Sequence, residues 1–545
     1  MLPGRMMDFP LTVTHLLDRG RSLFGAAQIV SRRADRSLER TSYQAFFRRT
    51  ARLANGLARL GVRPGDRVAT LAWNHTRHLE LYFGVPSYGA VLHTLNLRLH
   101  PSEIGYIANH AEDRFLFVDR SLLPLYQAVA QTARCFEKVV VFDEALPEPA
   151  PLPGNAVDYE ELLRGESDAY AFPRLDESSA AMICYTSGTT GNPKGVVYSH
   201  RSTVLHSMAL CMADTVAVSE NDTVLPVVPM FHANAWGMPY SAILAGSDIV
   251  FPGPHLDPRS LLDLMAAEKV TFAAGVPTIW IGILALLDQD PKRWDLSAMR
   301  GMLIGGSAAP AYLIDGFQRR HGLEVVQGWG MTEMNPLGTI ARIKKRLRTG
   351  DAEAELSLRA SQGYPGPFVE QRHAAEDGRL LPWDGETMGE LEVRGPFVAS
   401  SYLGDEGEAR WTADGWFKTG DVVTIDAEGY VRITDRSKDV IKSGGEWISS
   451  VALENALMSH PAVLEAAVFA ARHPKWDERP VAAVVFKDGL SATRAELTAH
   501  IEGRFARFWL PDDYIVLKQI PRTSTGKFLK SKLREEYGDH LEKQG

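Results

Sequence analysis

Residues 180–195 read AAMICYTSGTTGNPKG. Ala180 to Cys184 form a short apolar run, the pattern of a buried strand. It runs straight into a loop in which four hydroxyl residues and three glycines lie between Thr186 and Gly195. Small residues let the backbone approach a phosphate closely, while hydroxyls and amide N–H groups donate to its oxygens. Lys194 adds a positive charge on a flexible stem. A Walker A loop is excluded, because Pro193 stands where that motif needs glycine and Gly195 where it needs Ser or Thr. A plain Gly/Ser/Thr surface loop would share the composition but has no need of this order. A strand that ends in such a loop belongs to an open α/β sheet, where ligands gather at the carboxyl ends of strands.

Outward from this loop, strand and helix patterns alternate. Tyr43–Leu60 carries apolar residues at helical spacing and stops at Gly61; Arg67–Trp73 reads as a strand and His78–Tyr88 as a helix. Further strands are expected at Ala90–Thr94, Arg114–Val118, Thr223–Val228, Asp248–Phe251, Thr271–Gly275, Met302–Gly305 and Glu324–Gln327. Such alternation predicts a largely parallel sheet covered by helices. From Gly385 the texture changes to short strands and turns, in GELEVRG, GWFKTGDVVTID and GYVRITD. About a hundred residues of compact α/β pattern follow, enough for a small domain. We therefore expect an N-terminal domain over residues 1–435 and a C-terminal one over 436–545.

The 545 residues are too many for one ordinary domain, and 45% hydrophobic with 23% charged residues is the balance of a globular chain. With 59 basic and 67 acidic residues the net charge is −8, which argues against a nucleic-acid partner. Three cysteines without C-x-x-C spacing support neither a disulfide framework nor a zinc site, and suggest a reduced, cytoplasmic chain. Arg5, Asp8 and Asp18 interrupt the apolar N-terminal stretches, unlike a secretory signal. The greasy region Val224–Gly246 holds His232, Asn234, Pro229 and Pro239, and so is not a membrane span. Peripheral membrane contact stays open. So does the basic run RIKKRLR (342–348), which reads as a solvated face or as a contact for anionic lipid or phosphate.

Six further motifs stand out. GGSAAP (305–310) and GWGMTE (328–333) are glycine-rich, and Glu333 offers a hard oxygen ligand. TGD (419–421) places Asp421, whose carboxylate can accept from two ribose hydroxyls, between two strand-like stretches. DRSKDVIKSGGEWIS (435–449) marks the expected domain junction, and PRTSTGK (521–527) lies near the end of the chain. PMFHANAW (229–236) places His232 and Trp236 at a strand end.

Together with the 185–195 loop, these motifs resemble those of the adenylate-forming superfamily of acyl-CoA synthetases, adenylation domains and luciferases. The resemblance spans about Leu11 to Tyr537 and is nearest to medium- and long-chain fatty acid–CoA ligases and 3-methylmercaptopropionate–CoA ligases. Shared stretches include RHLE (77–80), ANHAED (108–113) and SGGEWISS (443–450). It implies an α/β fold: a large N-terminal domain of parallel-rich sheets with helices and a small β-barrel-like subregion, then a small, mobile α+β C-terminal domain. It implies a ligase that uses ATP, Mg²⁺ and coenzyme A to convert a carboxylic acid to acyl-AMP and then to acyl-CoA. An amine or a carrier-protein thiol as acceptor is the competing enzymatic reading. A nucleotide sensor on a dead scaffold should have lost Lys527, Glu333 or Asp421, and all are present.

Residue by residue, the resemblance implies nucleotide contacts from Thr186, Ser187, Gly188, Thr189, Thr190, Gly191, Lys194, Gly305, Gly306, Ser307, Gly328, Trp329, Gly330, Met331, Thr332, Asp421, Arg436, Lys442, Trp447 and Lys527. Lys527, Glu333, Thr186 and His232 are the implied catalytic group, with Thr186 and Glu333 as metal ligands. His232, Trp236, Gly305, Trp329 and Pro336 border the acyl group. Lys438 is the hinge and, with Ser443, Gly444, Gly445 and Glu446, faces CoA. A homodimer is also implied. Trp329 departs from the pattern, since many fatty-acid ligases carry Tyr there.

Overall fold

Seven strands form the sheet that carries the phosphate-type loop, in the order Ala156–Asp158, Lys138–Phe142, Asp113–Asp119, Arg67–Leu71, Val91–Thr94, Ala180–Tyr185 and Gly195–Ser199. All pairs are parallel except the last, the hairpin of Ala180–Tyr185 with Gly195–Ser199. Central strands bury both faces: Val68, Ala69, Thr70 and Leu71 are all fully enclosed. This is why Arg67–Leu71 reads as a continuous apolar run rather than an alternating one. The structure, a computed structural model, describes residues 2–146, 151–154, 156–186, 192–405, 407–436, 439–443, 446–522 and 528–543.

Helix Tyr43–Leu60 lies where its periodicity places it. Ser42 caps its N-terminus by accepting from Ala45 N at 3.2 Å, and Gly61 ends it at φ 85°. A second sheet runs Gly301–Ile304, Phe272–Gly275, Thr223–Pro226, Asp248–Phe251, Gln28–Arg32 and Leu38–Ser42, parallel except for the final antiparallel pair. Predicted and observed strands agree to within a few residues; Arg67–Trp73, for example, ends at Leu71.

The chain packs as two compact units. Residues 1–304, 330–338 and 395–408 make the first, and 305–329, 339–394 and 409–545 the second. In the second unit an antiparallel sheet joins Glu370–Ala374, Gly389–Arg394, Phe417–Ile425 and Val431–Arg436. A further sheet orders Glu446–Ile448, Ile441–Ser443, Asp477–Phe486 and Val463–His473, with Asp513–Val516 parallel to Asp477–Phe486. Along Val463–His473 successive residues face opposite cores. Ala466, Val468 and Ala470 pack with Leu453 and Ile501, and Ala467, Phe469 and Ala471 with Ile520 and Leu533. The basic run 342–348 lies along this unit's surface, with Arg342 on Glu324 at 3.0 Å and Lys344 and Arg346 on Glu428. No helix among the described residues is long and apolar enough to cross a membrane.

Candidate active site

The base of the 185–195 loop is laced by backbone. Tyr185 pairs with Gly195 across the hairpin, Thr186 N donates to Lys194 O at 2.9 Å, and Lys194 N reaches Thr186 Oγ1 at 3.4 Å. Ser187, Gly188, Thr189, Thr190 and Gly191 lie outside the described residues. Gly195 is closely packed: a Cβ there would stand 3.0 Å from the Tyr185 ring and 3.1 Å from Leu403 Cβ.

Lys194 leads to a partner that sequence reasoning missed. Its Nζ lies 5.1 Å from the centroid of the Tyr402 ring. Across from it, Gly407 has φ +74°, and a Cβ there would come within 2.7 Å of that Nζ. The Tyr402 hydroxyl donates to Glu333 Oε1 at 2.6 Å, with both side chains only 5% exposed. Glu333 sits in the single turn Thr332–Met334, which is anchored twice: Ala399 N donates to Glu333 O at 2.7 Å and Tyr198 OH to Thr332 O at 2.6 Å. Met331 N donates to Pro336 O at 3.1 Å, closing the GWGMTE turn onto Pro336. The structure thus gathers Thr186, Lys194, Thr332 and Glu333 in the first unit. Only Gly404 and Gly407 in SYLGDEG hinted at Tyr402 in the sequence.

The segment after Thr223–Pro226 is held by another residue the sequence did not single out. Asn74 Nδ2 donates to Pro226 O and Val228 O, both at 2.9 Å, and its Oδ1 accepts from Met230 N at 2.7 Å. His232 then precedes five consecutive residues of positive φ, Ala233, Asn234, Ala235, Trp236 and Gly237, at 42°, 55°, 49°, 57° and 73°. Each non-glycine in that region costs about 1–2 kcal/mol, so the surroundings must enforce the turn. Asn234 is tied by Cys184 Sγ to its Oδ1 at 3.4 Å, and Trp236 is buried. His232 is half-buried.

A second group forms in the second unit. Asp421 and Arg436 are register partners on adjacent strands, and Arg436 Nε lies 3.0 Å from Asp421 Oδ1. Trp329 Nε1 donates to Asp421 Oδ2 at 2.9 Å. The carboxylate is 2% exposed. Thr419 Oγ1 accepts from Asp421 N at 3.1 Å and donates to Leu391 O, which fixes the TGD turn. Gly305, Gly306 and Ser307 follow Gly301–Ile304; just beyond them Ala309 N donates to Gln327 Oε1 at 2.7 Å, next to Gly328.

Lys442 and Trp447 face each other in the hairpin of Ile441–Ser443 with Glu446–Ile448, Nζ 5.6 Å from the ring, and Lys442 also pairs with Glu376 at 2.8 Å. Ser443 and Glu446 close this hairpin as register partners. Arg479, also unanticipated, donates to Ser443 Oγ at 3.2 Å and pairs with Asp512 at 2.7 Å. Lys438, Gly444, Gly445 and Lys527 lie outside the described residues. The base of the Lys527 loop is formed by the pairing of Arg522 with Phe528 and by Leu529 N on Pro521 O at 2.8 Å. Beyond it, buried Lys530 meets Glu454 at 2.7 Å, and Ser450 N donates to Asp435 Oδ2 at 2.9 Å. Burial pushes the Glu454 carboxyl up to about 7, against the pull of Lys530.

Comparison with known proteins now defines the class. Residues 26–403 match the family of AMP-binding enzymes and residues 452–527 the AMP-binding enzyme C-terminal domain, so the chain belongs to the AMP-binding enzyme family. It is 50% identical over 541 residues to a long-chain-fatty-acid–CoA ligase of Thermus thermophilus, covering 99% of this chain and 98% of that one. It is 44% identical over 538 residues to a 3-methylmercaptopropionyl-CoA ligase of Ruegeria pomeroyi, covering 99% of each. Among solved structures, an anthranilate CoA ligase in complex with anthranoyl-AMP superposes with a TM-score of 0.86 at 25% identity, over 98% of this chain and 99% of that one.

Proposed function

We propose that the protein is an AMP-forming acid–CoA ligase. A carboxylate oxygen attacks the α-phosphorus of ATP and pyrophosphate leaves. The CoA thiol then attacks the acyl carbon, and AMP departs with that oxygen. The observation that carries this reading is the Lys194–Tyr402–Glu333 arrangement at the carboxyl end of a parallel sheet, which puts a cation and a carboxylate beside a phosphate-type loop.

Lys194 and the hydroxyls of Thr186 and Thr332 supply positive potential and donors to phosphate oxygens, where charge develops in the transition state. Asp421 accepts from ribose hydroxyls, and Arg436 and Trp329 hold it in place. The donor set suits Mg²⁺, which takes one or two carboxylates plus substrate phosphates; Glu333 and Thr186 would hold it, and no cluster of three or more His, Cys, Asp or Glu occurs among the described residues. When bound, the ion neutralises phosphate charge. Lys527 is assigned to adenylation, Lys438 to the pivot between residues 1–435 and 436–545, and Ser443, Gly444, Gly445 and Glu446 to the pantetheine arm. His232 and Trp236 border the acyl group. A cytoplasmic location and a homodimer belong to the same reading and draw support from the resemblance.

A medium- or long-chain fatty acid is the favoured substrate, supported by the Thermus relative. The Ruegeria relative favours a second reading, a short thioether acid such as 3-methylmercaptopropionate. A panel of acids from propionate and 3-methylmercaptopropionate to palmitate, with AMP release measured with and without CoA, tests both. CoA-stimulated AMP release is expected, and the best acid decides the class. No acid-dependent release with any member would reject the ligase reading.

A further inference from the structure

We propose that Tyr402 is a positioning residue for adenylation, one side chain that sets the stance of both Glu333 and Lys194. The proposal rests on the ligase reading and deepens it.

Tyr402 has two working parts. Its hydroxyl donates to Glu333 Oε1 at 2.6 Å inside a buried pocket, which fixes one carboxylate oxygen and therefore the orientation of the other. A hydrogen bond of this kind to a metal-binding carboxylate is the usual means of holding it ready. Its ring lies under Lys194, 5.1 Å from the ammonium. An aromatic face holds an ammonium without neutralising it, whereas a carboxylate partner would cancel the charge that a phosphate needs. Two neighbours show that the arrangement is built. Leu403, next along the chain, packs against Gly195, the residue after Lys194. Ala399 N, three residues before Tyr402, donates to the Glu333 carbonyl at 2.7 Å. Ala399, Tyr402 and Leu403 therefore hold Glu333 and the Lys194–Gly195 pair together.

Separating the hydroxyl from the ring tests this. Tyr402→Phe removes only the hydroxyl, and Tyr402→Leu removes both parts. Three quantities are read for each: Mg²⁺ dependence of acid-dependent ATP–pyrophosphate exchange, calorimetric binding of ATP with and without Mg²⁺, and thioester formation from synthetic acyl-adenylate. Tyr402→Phe should keep its thermal midpoint and raise the Mg²⁺ needed for half-maximal exchange by about tenfold, as loss of a partner to a metal ligand does. Its Mg²⁺-free ATP binding should stay at the wild-type level. Tyr402→Leu should also weaken Mg²⁺-free ATP binding, because Lys194 loses its ring. Both should retain thioester formation from acyl-adenylate. Unchanged Mg²⁺ dependence in Tyr402→Phe would overturn the proposal, as would parallel loss of both half-reactions with a lowered thermal midpoint. Wild-type protein without acid-dependent exchange would instead reject the ligase reading beneath it.

Discussion

Trp329 donates its indole N–H to Asp421 Oδ2 at 2.9 Å, while Arg436 stands 3.0 Å from Oδ1. A carboxylate has about four acceptor sites, so two remain after these contacts, enough for two ribose hydroxyls. The Trp329 ring is thus committed through its N–H to Asp421, the residue proposed to accept from the ribose.

Asp421→Ala should raise the KM for ATP far more than the KM for the acid. Trp329→Phe keeps a ring but drops the hydrogen bond, and should raise the KM for ATP by about tenfold, the lower end for a bond to a charged group. Calorimetric ATP affinity unchanged in Asp421→Ala would remove the ribose assignment.

Trp236 lies at the end of the left-handed turn that follows His232. If its ring bounds the acyl group, Trp236→Ala should shift the preferred chain length upward, since each buried CH₂ is worth about 0.8 kcal/mol. Activity that falls uniformly across the acid series would show that the ring lies elsewhere.

Arg49 lies 2.6 Å from Glu80 and 2.9 Å from Glu160, and Glu80 is fully enclosed, accepting also from Tyr159 OH at 2.5 Å. Arg49→Met leaves that buried carboxylate without its cation and should destabilise the protein by about 3–5 kcal/mol. Denaturant unfolding provides the check; a loss below about 1 kcal/mol, the worth of a surface pair, would contradict it.

Acid should weaken the first unit through three buried histidines. Burial lowers His78 and His206 to about 3 and His200 to about 4. Two accept from backbone in the neutral form, His206 Nε2 from Leu337 N and His200 Nδ1 from Val13 N, both at 3.2 Å. Their folded values lie below the ordinary 6.5, so the stabilisation is present above pH 6.5 and lost as pH falls toward 4. Three protons taken up only on unfolding contribute a slope of up to about 3 × 1.4, or 4 kcal/mol per pH unit, which the Glu144 and Glu454 carboxyls, both raised to about 7 in the fold, offset in part. Unfolding free energies of the wild type and of His206→Gln at pH 6.5, 5.5 and 4.5 isolate one histidine: the wild-type curve should fall relative to the variant as pH drops, and parallel curves would contradict the burial argument.

The sheets were legible because their signals are local. Tyr43–Leu60 has helical spacing and Gly61, and Arg67–Leu71 is a continuous apolar run. Asp421 and Arg436 drew notice because each lies in a distinctive motif, and the structure pairs them across adjacent strands. Tyr402 and Asn74 were not legible. One is a lone aromatic in a loop and the other a lone amide after a strand, and each acquires its role only from chain segments distant in sequence. RHLE (77–80) shows the opposite case, a motif whose residues prove to be packing: Arg77 pairs with Glu39 and Glu160, His78 with Thr70 and Glu80 with Arg49. Buried charges leave no periodic trace, so their partners could not be read in advance.

Formation of an acyl-adenylate moves an oxygen from the acid to AMP, and isotope labelling reads that transfer. With a carboxylic acid labelled with ¹⁸O in both carboxyl positions, ATP and CoA, attack by the carboxylate on the α-phosphorus carries one labelled oxygen into AMP. Singly labelled AMP is expected, formed in step with acyl-CoA and unlabelled pyrophosphate. Unlabelled AMP, or ADP and labelled phosphate in its place, would contradict it.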